Sequence, residues 1–214
     1  VISRIFVSKS DFMKATEAIR FAGLIGVVAS LFGLGSVLAA TFLAEGTFSW
    51  NRNALSDIGV SAVSVAANVF NISLTLTGIL NFVFALGFTK ANAKNALFYI
   101  GGILLMLGGI SLSLVGVFTE AYGRLHFYVS TSYFSLFSVA IILNGFAFRK
   151  ARRATMGDIS ILAGLIAAFV ILIGVVVEWH TWLGLGFAVP ELIASIIFAA
   201  WTVWMGSSLL VTKS

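Results

Sequence analysis

The chain has 214 residues, 60% of them hydrophobic and only 10% charged, with a net charge of +5. A water-soluble domain carries about 25% charged residues, so this chain has too little polar surface to face water and takes lipid as most of its solvent. It contains no cysteine, which excludes disulfides, thiolate metal sites and thiol catalysis, and no basic patch interleaved with aromatics points to nucleic acid.

The first 20 residues mix Arg4, Lys9, Lys14 and Arg20 with Ile2, Ile5, Phe6, Phe12 and Met13. They predict a cytoplasmic segment, lying along the membrane interface or forming an unstructured tail. The first apolar run, Phe21–Ala44, ends in no signal-peptide cleavage pattern and is long enough to span a bilayer, which takes about 20 apolar residues. Five more runs qualify: Ala62–Phe88, Ala96–Phe118, Phe127–Phe148, Ile159–Val177 and Val189–Val211. None shows the period-two alternation of a membrane strand. The expected fold is therefore all-α, a polytopic bundle of six transmembrane helices forming one domain over residues 21–214. Short connections make neighbouring helices antiparallel. The single proline, Pro190, suits the first turn of the last helix.

Basic residues favour the cytoplasmic side. With both termini inside, Lys90, Lys94, Arg149, Lys150, Arg152, Arg153, Lys213 and the four N-terminal cations fall there, and only Arg52 and Arg124 fall outside. The expected location is the cell membrane, with anionic headgroups beside the inner Arg149–Arg153 loop.

That topology sends most remaining ionisable groups to the outer end: Glu45, Asp57, Glu120, Glu178, Glu191, His126 and His180. Of the acids, only Asp11, Glu17 and Asp158 fall inside, and Asp158 fits as the N-cap of the fifth helix. A helix starting near Asp57 would align Asp57, Ser61, Ser64, Asn68, Asn71 and Thr75 on one face. His126, Ser130, Tyr133 and Asn144 share a face of the fourth helix. Gly102, Gly109, Ser113 and Gly116 form a small-residue stripe on the third, which permits close helix approach. Two readings stand side by side: an outward-open polar funnel between helices two, three and four, or interhelical hydrogen-bond glue. Trp50, Trp179 and Trp182 read as outer interfacial anchors, Trp201 and Trp204 as inner ones.

A weak internal echo pairs Gly116-Val-Phe-Thr-Glu120 with Gly174-Val-Val-Val-Glu178. At Asn53-Ala-Leu-Ser56-Asp57-Ile-Gly59 the chain resembles the prokaryotic membrane proteins grouped as domain of unknown function 998. The resemblance continues at Phe70-Asn71, Gly78, Gly116-Val-Phe118 and His126, and ends near Pro190-Glu191. In that family a proline often follows the residue matching Phe118, where this chain has Thr119. The resemblance implies a six-helix membrane protein and no particular chemistry.

The candidate acid–base residues are Asp57, Glu120 and His126. Asn53, Ser56, Asn71, Arg124 and Glu191 are candidates for binding, with Ser56 also a candidate helix cap. A metal held by His126 and His180 with Asp57 or Glu120 is a variant of the same idea, without any supporting ligand spacing. No cofactor is specified. The partners are membrane lipids, and partner proteins are unspecified. Three functions remain open: binding or processing of a lipid or lipid-linked substrate at the outer leaflet, transport of a small solute or proton, and a non-catalytic scaffold.

Overall fold

A computed structural model describes residues 9–93, 95–176 and 184–211. Glu178, Trp179, His180 and Trp182 lie outside the described residues. Six long helices run in chain order: α1 Lys9–Leu43, α2 Ser64–Asn92, α3 Ala96–Val117, α4 Arg124–Lys150, α5 Ala154–Val176 and α6 Ala188–Leu210. All six are long and apolar enough to cross a membrane. Two short 3-10 turns, Leu55–Val60 and Glu120–Tyr122, sit between α1 and α2 and between α3 and α4. The helix α1 passes through Phe21 without a break, so the N-terminal boundary drawn from composition falls inside a continuous helix.

The helices form a closed ring in which each packs on its chain neighbours and α6 returns to α1. Residue pairs along the seams fix an antiparallel order. Gly26 meets Phe84 and Gly33 meets Thr77 between α1 and α2. Gly101 meets Asn144 and Gly108 meets Phe137 between α3 and α4. Each seam contains glycine at its closest approach, including Gly78 on Gly109, Gly145 on Gly157, Gly174 on Pro190 and Gly206 on Gly23. Apolar faces have no hydrophobic drive to associate in lipid, so close backbone packing must supply the contact. The Gly102, Gly109, Ser113, Gly116 stripe on α3 is such a seam against α2. There Ser113 Oγ donates to the Thr75 carbonyl at 3.0 Å.

The ring's outside is apolar, with Leu31, Phe42, Ile72, Ile79, Phe169 and Leu172 exposed, as lipid requires. The inside of its basic half holds an aromatic cluster in which Phe88 contacts Phe84, Phe98 and Trp201, and Phe98 contacts Phe148. Trp201 is therefore a core residue and not an interfacial anchor. It is 3% exposed, and its indole N–H donates to Ser160 Oγ at 3.0 Å. Asp158 also departs from expectation: α5 starts four residues earlier, at Ala154, and Asp158 pairs with Arg149 at 3.3 Å across the α4–α5 turn. Pro190 sits in the first turn of α6 as its chemistry demands.

One end of the ring carries Arg149, Arg152 and Arg153. The opposite, acidic end carries Glu45, Asp57, Glu120 and Glu191.

Candidate functional site

The acidic end is closed by a loop that ties itself in place. The Asn53 side chain accepts from the Ser49 N–H at 2.9 Å and donates to Asp57 Oδ2 at 2.7 Å. The same Asp57 oxygen accepts from the Ala54 N–H at 3.1 Å, satisfying a donor that the start of a 3-10 turn leaves free. Ser56 is not a cap. It lies inside the turn, 8% exposed. The chain then turns extended at Ser61 before α2 begins at Ser64. Asp57 and Ser61 are therefore off the α2 helix, and counting a helical face from Asp57 gives the wrong register.

Three further bonds fasten this loop to the bundle. Asn71 Nδ2 donates to the Gly59 carbonyl at 2.9 Å. The Ala188 N–H at the start of α6 donates to the Asn53 carbonyl at 2.9 Å. The Leu55 N–H donates to Glu191 Oε2 at 2.6 Å. Glu191 is 7% exposed, and both Asp57 and Glu120 lie within electrostatic range of its carboxyl.

The second turn, Glu120–Tyr122, packs against the first. It reverses the chain at Gly123, whose φ of +54° disfavours a side chain, and brings Glu120 back over His126. His126 Nδ1 lies 2.7 Å from the Phe118 carbonyl oxygen. A carbonyl only accepts, so Nδ1 carries a hydrogen. Nε2 lies 3.0 Å from Glu120 Oε2. With the Nδ1–H tautomer set by the Phe118 carbonyl, Nε2 and the Glu120 carboxyl face each other within hydrogen-bond distance. His126 is 5% exposed, while Glu120 opens to the surroundings.

Behind these groups lies a cavity of about 90 Å³ inside the ring. Ser56, His126 and Glu191, all buried, line its mouth, the end that the Leu55–Val60 turn covers, and Leu34, Leu74, Leu112 and Phe137 are among its apolar walls. Its lining runs from Phe70 to Asn81 on α2, from His126 to Phe137 on α4 and from Glu191 to Thr202 on α6. Each stretch is three helical turns, or about 16 Å, roughly half the ~30 Å hydrocarbon thickness. The cavity is thus a slot reaching about halfway along the helices. Its deep end carries Thr77, Asn81 and Thr202. Thr77 Oγ1 and Asn81 Oδ1 are buried with no hydrogen-bond partner.

Of the residues singled out from sequence, Ser56, His126, Ser130, Tyr133 and Glu191 line the cavity, and Glu120 joins it through His126. Asn53 and Asp57 lock the loop, Asn71 pins it to α2, and Arg124 is exposed at the start of α4. The lining comes from α1, α2, α3, α4 and α6 and not from helices two to four alone. The Asn68, Asn71, Thr75 face is not part of it: Thr75 bonds the Asn71 carbonyl at 3.0 Å, and Asn68 is exposed. Sequence reasoning passed over Thr77 and Asn81, although an Asn within an apolar span is a costly residue that signals itself. Among the described residues, no group of three or more His, Asp or Glu is placed to hold a metal ion.

A family model described as Protein of unknown function (DUF998) matches residues 27–208. The chain belongs to this family. No curated protein and no solved structure matches it. The DUF998 match covers every residue that lines the cavity, from Ser30 to Thr202, so the slot is built wholly from the family's own segment.

Proposed function

We propose that this DUF998 protein binds a lipid or lipid-linked molecule by one of its chains in the slot at the acidic end, and that this end faces away from the cytoplasm. The observation that carries the reading is the slot itself: narrow, apolar along its walls, polar at a mouth formed by Ser56, His126 and Glu191. Such a lining suits an amphiphile whose polar head stays at the mouth. The distribution of basic residues supports the outward orientation.

The slot has aromatic residues below it in the basic half of the ring, with Phe84, Phe88, Phe98, Phe148 and Trp201 in mutual contact. That favours a one-sided binding site over a path through the bundle. The His126–Glu120 pair stands where a head group would lie and can give or take a proton there, so processing of the head group belongs to the same reading.

Native mass spectrometry of the protein purified in mild detergent tests it. Wild type is expected to retain a lipid or lipid-like molecule in roughly stoichiometric amount, and Leu74→Trp, which fills the slot, to lose it. Equal retention by both proteins, or none by wild type, contradicts the proposal. If a lipid is held, incubation with it decides between holding and processing: a product formed by wild type and not by His126→Ala or Glu120→Gln assigns chemistry to the pair.

A further inference from the structure

The deep end of the slot holds an unmet demand. Thr77 and Asn81 are 6% and 7% exposed, their side-chain oxygens Oγ1 and Oδ1 have no hydrogen-bond partner, and both residues line the cavity. They lie about three helical turns below the mouth, near the middle of the helices, where an unsatisfied polar group costs several kcal/mol. Ser138 Oγ and both polar side-chain atoms of Asn144 are also buried without a partner, but they lie off the cavity lining, and other polar groups of the bundle are satisfied. Thr75 and Ser113 serve each other's carbonyls across the α2–α3 seam, and Ser30, also on the lining, bonds the Gly26 carbonyl at 2.9 Å. Thr77 and Asn81 fall one turn apart on the face of α2 that continues Phe70 and Leu74, and that face forms a wall of the slot. Gly33 lies against Thr77 on the α1 side, where a Cβ would come within 2.7 Å of the Thr77 hydroxyl.

We infer that Thr77 and Asn81 form a second, hydrogen-bonding subsite, so that the ligand's buried chain carries a hydroxyl or similar donor group at its inner end. The inference rests on the slot being a ligand site and goes further in naming the class: a chain polar at both ends, not a plain acyl tail. Thr202, buried and also at the deep end, adds a second hydroxyl to the same place. A plain hydrocarbon end would leave these groups without partners. One polar end cannot satisfy both the mouth and the floor of a slot about 16 Å long.

The test compares dodecane, dodecanol and dodecanediol, at equal mole fraction in detergent micelles, as competitors of a fluorescent fatty-chain probe bound to the purified protein. The diol is expected to bind about tenfold more tightly than the mono-alcohol, as one added hydrogen bond allows. Asn81→Leu with Thr77→Val should remove that preference while leaving dodecanol affinity within about twofold. These substitutions delete orphaned polar atoms at little change of volume, so the unliganded variant should unfold at a temperature no lower than wild type, which separates lost recognition from lost folding. Equal affinity for diol and mono-alcohol, or a preference that survives the double substitution, means that water alone serves the floor and overturns the subsite. If none of the three competes, both the subsite and the chain-binding reading beneath it fail.

Discussion

Glu191, in the first turn of α6, accepts a 2.6 Å hydrogen bond from the backbone N–H of Leu55, 136 residues earlier in the chain. This bond joins the lid of the cavity to its wall, because Leu55 opens the 3-10 turn that covers the slot and Glu191 lines it. Glu191→Ala strands a buried donor and should destabilise the protein by about 1–3 kcal/mol. Glu191→Gln keeps an acceptor oxygen and should recover most of that loss. Thermal unfolding in detergent checks both. Equal destabilisation by Ala and Gln would show that the charge, and not the bond, matters.

Asp57 is the most prominent acid in the motif that carries the family resemblance, yet its carboxylate is committed to Asn53 and Ala54. An amide oxygen can accept at least one of those bonds. Asp57→Asn should therefore preserve the fold and ligand retention, while Asp57→Ala loosens the loop and weakens retention. Lipid retention in the two variants, measured beside their unfolding temperatures, decides the matter. Loss of function in Asp57→Asn at unchanged stability would make Asp57 a catalytic group.

The ring depends on glycine seams. A Cβ on Gly109 would meet the Gly78 carbonyl oxygen and the Phe82 amide nitrogen at 2.9 Å. Both are backbone atoms that cannot move aside without separating α2 and α3. Gly109→Ala should cost about 1–3 kcal/mol through overpacking. Gly35, with nothing within 4 Å of such a Cβ, is the control: Gly35→Ala should be neutral or stabilising by up to about 1 kcal/mol. Unfolding temperatures that move in the same direction for both variants would remove the seam argument.

The absence of cysteine makes the orientation simple to read. Asn51→Cys, exposed at the acidic end, should react with a membrane-impermeant maleimide on intact cells, and Arg152→Cys, exposed at the basic end, should react only after lysis. The reverse pattern would place the slot mouth on the cytoplasmic side.

The six spans were legible because lipid forces about 20 apolar residues into each crossing, and His126 and Glu191 stood out because ionisable groups are rare in such a chain. Local backbone events were not legible. The extended residue at Ser61 separates Asp57 from α2, so the face counted from Asp57 landed on Asn68, Asn71 and Thr75. The face that meets the cavity is offset from it and runs Phe70, Leu74, Thr77, Asn81. The closeness of Glu120 to His126 depends on a 3-10 turn and a left-handed Gly123, which six residues of sequence do not announce. Trp201 read as interfacial because tryptophan favours headgroups, but a buried hydroxyl on Ser160 satisfies its N–H inside the bundle.

The most direct test of the slot is photolabelling in reconstituted vesicles with a lipid carrying a diazirine along its acyl chain, followed by peptide mapping. Labels on the inward residues Leu74, Leu112 and Phe137 are expected, above those on the outward residues Ile72, Leu76 and Ile79 of the same bundle. Labelling confined to the outward residues would mean that the chain only passes along the protein's surface and that the cavity does not take it in.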